Sequence, residues 1–138
     1  MTIQQGVTDA FSTGLMNGVY NFTTDSFKIA LYTGLASLGP DTAVYTSANE
    51  VVATGYTNGG IALPVSVAPT SANNTTFISF SNVTWNAALT ASGALIYKSG
   101  GTNPTVCVLD FGGSKTSTTT FTIQFPTANS SDAIIRIT

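Results

Sequence analysis

Residues 93–111 read GALIYKSGGTNPTVCVLDF. Two apolar runs, Leu95-Ile96-Tyr97 and Val106-Cys107-Val108-Leu109, flank a polar centre, Ser99-Gly100-Gly101-Thr102-Asn103-Pro104. Short apolar runs bounded by glycine and proline read as strands, and the centre reads as a longer hairpin loop. Neither run alternates strictly between apolar and polar residues, which marks strands covered on both faces. The stretch therefore predicts a hairpin at the centre of a β fold.

Working outward, Phe27–Thr33 places Phe27, Ile29 and Leu31 on one face of a strand and Lys28 and Tyr32 on the other. Ile61–Val67 reads as a strand, and Pro64 suits it to an edge or a bulge. Thr76–Trp85 alternates around an irregularity, and Thr119–Phe125 and Ala133–Ile137 add further strands. Residues 34–46, with Gly39-Pro40-Asp41, read as a loop, Ser47–Val52 as a short helical turn, and Asn58-Gly59-Gly60 as turn chemistry. At the N-terminus Ile3, Val7, Phe11 and Leu15, with Ala10, recur at helical spacing and predict a helix over residues 3–17 that stops at Asn17-Gly18. Gly6 and Gly14 weaken it, so its stability must come from packing. The expected fold is mainly β, an antiparallel β-sandwich (jelly-roll-like) or barrel with a short N-terminal α-helix. One domain is expected over residues 1–138, with the helix at 3–17 and the β-sandwich at 27–137.

Only 7% of the 138 residues are charged, far below the quarter usual in soluble domains, and the formal net charge is −2. Serine and threonine fill the polar positions instead. A chain this apolar and this close to neutral is not disordered. A surface so poor in charge resists association weakly, which hints that partners cover much of it. Lys28, Lys98, Lys115 and Arg136 are isolated, so no nucleic-acid footprint forms. No apolar stretch approaches the roughly 20 residues of a membrane span, and the start, Met1-Thr2-Ile3-Gln4-Gln5, is not expected to be a signal peptide.

The chain has no histidine and one cysteine, which leaves no zinc constellation and removes the commonest general base. The six acids, Asp9, Asp25, Asp41, Glu50, Asp110 and Asp132, share no motif, and neither a nucleophile elbow nor a P-loop occurs. No catalytic, cofactor or metal site is expected. Cys107, within Val106-Cys107-Val108-Leu109, reads as an inert buried thiol. Asp110 could hold a ligand or an ion at a strand end, but aspartate beside Phe111-Gly112-Gly113 more often accepts backbone N–H groups of the following turn. Trp85, Tyr45, Tyr56 and Tyr97 could stack on sugar rings, although strand aromatics are more often core. Asn21-Phe22-Thr23 and Asn82-Val83-Thr84 match the glycosylation triplet, as chance allows in a chain this rich in serine and threonine.

Four stretches, taken in order, carry a resemblance: Phe27–Thr33; Asn49-Glu50-Val51 through Gly55-Tyr56-Thr57-Asn58-Gly59-Gly60; Gly93-Ala94-Leu95-Ile96-Tyr97; and Val108-Leu109-Asp110-Phe111-Gly112. With the ending Ala133-Ile134-Ile135-Arg136-Ile137, the chain resembles a family of small structural proteins of tailed bacteriophages. The resemblance runs over most of the chain and implies a virion component on the capsid surface. It implies a decoration (cement) protein that binds across major capsid protein subunits. It brings no catalytic motif and no cofactor. Symmetric shells favour self-association of such proteins as dimers or trimers. A tail or fibre component acting in host adsorption is the alternative, and a carbohydrate-binding module is a further one. The residues expected at an interface, exposed yet apolar or near the termini, are Phe11, Leu15, Tyr45 and Tyr56.

Overall fold

A computed structural model describes residues 2–138. In chain order the elements begin with β1 (Gly6–Val7), α1 (Asp9–Met16), β2 (Phe27–Tyr32), β3 (Ile61–Ala62) and β4 (Val65–Ala72). They continue with β5 (Thr75–Phe80), β6 (Val83–Trp85), β7 (Thr90–Lys98), β8 (Thr105–Thr116), β9 (Phe121–Ile123) and β10 (Ile135–Ile137). The strands form antiparallel sheets in the orders β1-β8-β7-β2-β3, β10-β5-β4 and β6-β9. Among the described residues no sheet closes into a barrel, and the arrangement is sandwich-like.

The hairpin of residues 93–111 is the centre of the largest sheet, with β7 and β8 flanked by β2 and β1. Both faces of that sheet are buried, as the unbroken apolar runs predict. Ile29, Leu31, Ala94 and Ile96 face a core shared with Phe80 and Ile78 of β5, Trp85 of β6, Phe121 of β9 and Phe11 of α1. Ala30, Tyr32, Leu95, Tyr97 and Val108 face a second cluster closed by Ala36 and Leu38 from the connection after β2. Each fully buried leucine or isoleucine contributes about 1.5–3 kcal/mol over its exposed state. Serine and threonine take outward positions and pair across strands: Thr84 with Thr122 at 2.9 Å and Thr90 with Thr116 at 3.1 Å. Hydroxyl pairs of this kind do the work that charges do on most sheet surfaces.

The N-terminus departs from expectation. The helix covers only Asp9–Met16, and the residues before it are extended. Gly6 and Val7 pair with Val108 and Cys107, and Ile3 bridges Leu38. The boundary is set by Thr8, whose side chain accepts the Phe11 N–H as an N-cap while its own N–H donates to the Val106 carbonyl at 3.1 Å. The open edge of β8 offers the preceding residues backbone partners, and this outweighs their apolar spacing. The predicted turn at Ser47–Val52 amounts to one hydrogen bond, from Glu50 N–H to the Ser47 carbonyl at 3.2 Å, with Glu50 bridged to Tyr32.

Two predicted strands are each split. Ile61–Val67 breaks at Leu63-Pro64 into β3 and β4, which lie at the edges of different sheets. Proline there is in keeping with its missing donor. Thr76–Trp85 breaks after Phe80, sending β5 and β6 to different sheets.

Candidate interaction surface

The four residues expected at an interface separate into two pairs. Tyr45 and Tyr56 meet at Glu50, and Phe11 and Leu15 meet on α1. Phe11 and Tyr56 are buried in the described chain, at 3% and 9% exposure, so the expectation that they are exposed is corrected. Leu15 and Tyr45 are half-buried.

Glu50 is itself buried, at 4% exposure, in the long connection between β2 and β3. One carboxylate oxygen accepts the Tyr45 hydroxyl at 2.5 Å. The other accepts the Tyr56 hydroxyl at 2.5 Å and the Gly59 N–H at 2.8 Å. Tyr56 in turn accepts the Leu31 N–H of β2 at 2.8 Å, and Tyr97 of β7 donates to the Gly59 carbonyl at 2.6 Å. A buried charge must be hydrogen-bonded to be tolerated. The three bonds to Glu50 close the connection on itself, and the bonds of Tyr56 and Tyr97 tie it to the sheet. The carboxylate is fully engaged inside the fold, so its chemistry is that of a staple.

The same burial governs the phenols. Burial pushes the hydroxyl of Tyr56 well above the usual tyrosine range, with its hydrogen bond to Glu50 acting in the same direction. Tyr32 is raised by burial and by the charge of Glu50, and Tyr45, Tyr97 and Tyr20 are raised by burial first. Burial alone pushes the Cys107 thiol up to about 12, in keeping with an inert core cysteine. Groups raised in the folded state stabilise it fully below their unfolded values, near 10 for tyrosine, and that stability is lost as pH rises beyond them. Each such group costs about 1.4 kcal/mol per pH unit. Tyr32 and Tyr56 alone should remove about 3 kcal/mol by pH 11, with Cys107 adding to this. The check is the urea midpoint at pH 8 and pH 11, read with tyrosinate absorbance. Tyrosinate signal from all five tyrosines with an unchanged midpoint would contradict the assignment.

Asp110 accepts the Gly112 N–H at 2.9 Å, but the expected turn is absent: β8 runs on to Thr116, and the bond lies at an irregularity of its ladder with β7. Trp85 is buried, with its ring near Tyr56 and Phe121, and its indole N–H has no partner among the described residues. With Tyr56 and Tyr97 also buried, these aromatics present no row on which a sugar could stack. Among the described residues no three His, Cys, Asp or Glu side chains gather as a metal-binding group.

What the fold leaves open lies elsewhere. A groove runs between α1 and the sheet edge at β10, walled by Val7, Leu15 and Met16 on one side and by Ile135 and Ile137 on the other. It continues over Phe11 toward Pro69 and Phe77, where its lining stays apolar apart from Thr76. Met16 is 92% exposed, Ile137 50% and Val7 43%, so the groove has an apolar rim as well as an apolar floor. Clustering is what distinguishes this surface, because single exposed apolar residues are normal. Of the four expected interface residues, Phe11 and Leu15 line this groove, while Val7, Met16 and Ile137 were not among them. The groove joins the two ends of the chain, and no local pattern signals that meeting.

No family model, no curated protein and no solved structure matches the chain.

Proposed function

We propose that the chain is a non-enzymatic structural protein of a bacteriophage virion. In this reading it decorates the capsid surface and binds across major capsid protein subunits. It also associates with copies of itself as a dimer or trimer, without a cofactor. The observation that carries the reading is the apolar groove between α1 and β10, on a chain of which only 7% is charged. The ordered sequence resemblance to small phage structural proteins gives it direction. A cement protein acts by adding contacts that must break before the shell can rupture, and weak contacts repeated over a closed lattice sum through multivalency. The fully bonded Glu50 staple supports the same role, since it makes the clamp rigid without leaving reactive groups exposed.

The test is copy number per purified particle, by quantitative mass spectrometry against the major capsid protein. A ratio near one to one is expected, together with heads that rupture more readily on heating when the protein is absent. A ratio of a few per hundred would move the protein to the tail or fibre and defeat the decoration reading.

A further inference from the structure

We infer that the open edge of β10 takes up an extended segment of another protein as an added strand. The segment's apolar side chains would sit in the groove, and a carboxylate on it would meet Arg136. This rests on the reading of the groove as the docking surface, and it adds the conformation and chemistry of what docks.

β10 is the last strand of its sheet, bonded only to β5, and among the described residues no hydrogen bond reaches its other edge. Such an edge is a template for strand addition unless something blunts it. The sheet's opposite edge is blunted: β4 carries Pro69 and two register shifts against β5. β10, three residues long, has neither a proline nor a shift, and its one charge, Arg136, guards it against a like-charged strand but not against an acidic one. Ile135 and Ile137 share one face of the strand and line the groove, opposite Leu15 and Met16 of α1. A strand added at this edge would therefore set alternate side chains into an apolar slot.

Arg136 is the one charged residue lining the groove. It donates to the Ser131 carbonyl and among the described residues forms no ion pair, so no acid there answers its charge. Antiparallel pairing of β10 with a second copy of itself about Arg136 would set two guanidinium groups side by side, and like charges across strands are destabilising. The occupant that fits is a different chain bearing an acid.

The test selects a displayed library of random dodecapeptides on the wild-type protein and on the Ile137→Lys and Arg136→Glu variants. Enriched peptides should alternate apolar residues and carry Asp or Glu. They should bind Ile137→Lys at least tenfold more weakly, and Arg136→Glu should shift the preference to Lys or Arg. Bound peptide should slow amide exchange across residues 135–137. Arg136 is exposed, so its variant keeps the test open if Ile137→Lys fails to fold. The inference is overturned if no peptide is enriched, or if enrichment ignores both substitutions. It is equally overturned if sedimentation shows a dimer that Ile137→Lys dissolves, since a second copy would then hold the edge. Successful selection beside a low copy number on particles would remove the shell role and leave the strand site standing.

Discussion

Glu50→Ala is expected to lower the unfolding free energy by about 4 kcal/mol, a large part of the 5–15 kcal/mol typical of a domain. The loss comes from what the carboxylate leaves behind. The hydroxyls of Tyr45 and Tyr56 and the N–H of Gly59 would lose their acceptor, Tyr56 and Glu50 lying deep in the fold. A buried donor without a partner costs about 1–3 kcal/mol. Tyr45 is only half-buried and can turn to water, which keeps the total below the simple sum. Glu50→Gln should cost roughly half as much, because one amide oxygen still accepts while the NH₂ faces groups that donate. Urea melts of both variants provide the measurement. An alanine variant within about 1 kcal/mol of wild type would show that the connection between β2 and β3 is not held by this carboxylate.

Gly60→Ala is expected to be at least as damaging, for a steric reason. Gly60 has φ +78°, and a Cβ there would lie 1.7 Å from the Ile29 carbonyl oxygen and 2.8 Å from the Ala30 Cα. Both obstacles are backbone of β2, which is fixed between β7 and β3. The chain cannot give way without breaking that ladder, so a loss of about 4 kcal/mol or more, or failure to accumulate folded protein, should result. Gly18→Ala separates the two contributions. Gly18 has nearly the same dihedral, φ +73°, but nothing within 4 Å of its Cβ position. It should lose only the left-handed backbone penalty of about 1–2 kcal/mol. Equal denaturant midpoints for the two variants would mean that the close approach at β2 is not rigid.

The central hairpin was legible because burial on both faces leaves an unbroken apolar run, which composition alone exposes. Sandwich-like character followed from the number of short strands and the turns between them. The helix start was not legible. Ile3 and Val7 sit at helical spacing from Phe11, yet the partners that decide their conformation are distant in sequence: Leu38 for Ile3, and Cys107 of β8, about a hundred residues away, for Val7. Pro64 did announce an edge, but whether it ended one strand or bent it depended on which sheet each half could join.

Glu50 was visible only as one of six scattered acids. Its role arises because the connection folds back, so that tyrosines five residues before and six after converge on one carboxylate. A lone acid set between two tyrosines in a charge-poor segment is the signal that could have found it. Tyr45 and Tyr56 were named among four interface residues, as surface rather than as donors to a buried anion. A polar hydroxyl on an apolar ring suits either setting, and only the position of Glu50 distinguishes them.

The pairing of β1 with β8 has a consequence for how the protein is made. Thr8 and Thr105, 97 residues apart, lie with their hydroxyl oxygens 2.8 Å apart, and Tyr20 donates to the Thr105 carbonyl at 2.6 Å. In a nascent chain residues 6–8 therefore have no native strand partner, and the Tyr20 hydroxyl no acceptor, until β8 has been synthesised. Hairpins such as β7–β8 close locally and quickly, whereas this ladder must wait for β8 to be made and for a large loop to close. Through that interval Val7, Phe11 and Leu15 are an unshielded apolar segment, open to chaperones and proteases. A product truncated before Thr105 would leave β1 without its partner strand, so quality control can reject such chains by the state of residues 6–16.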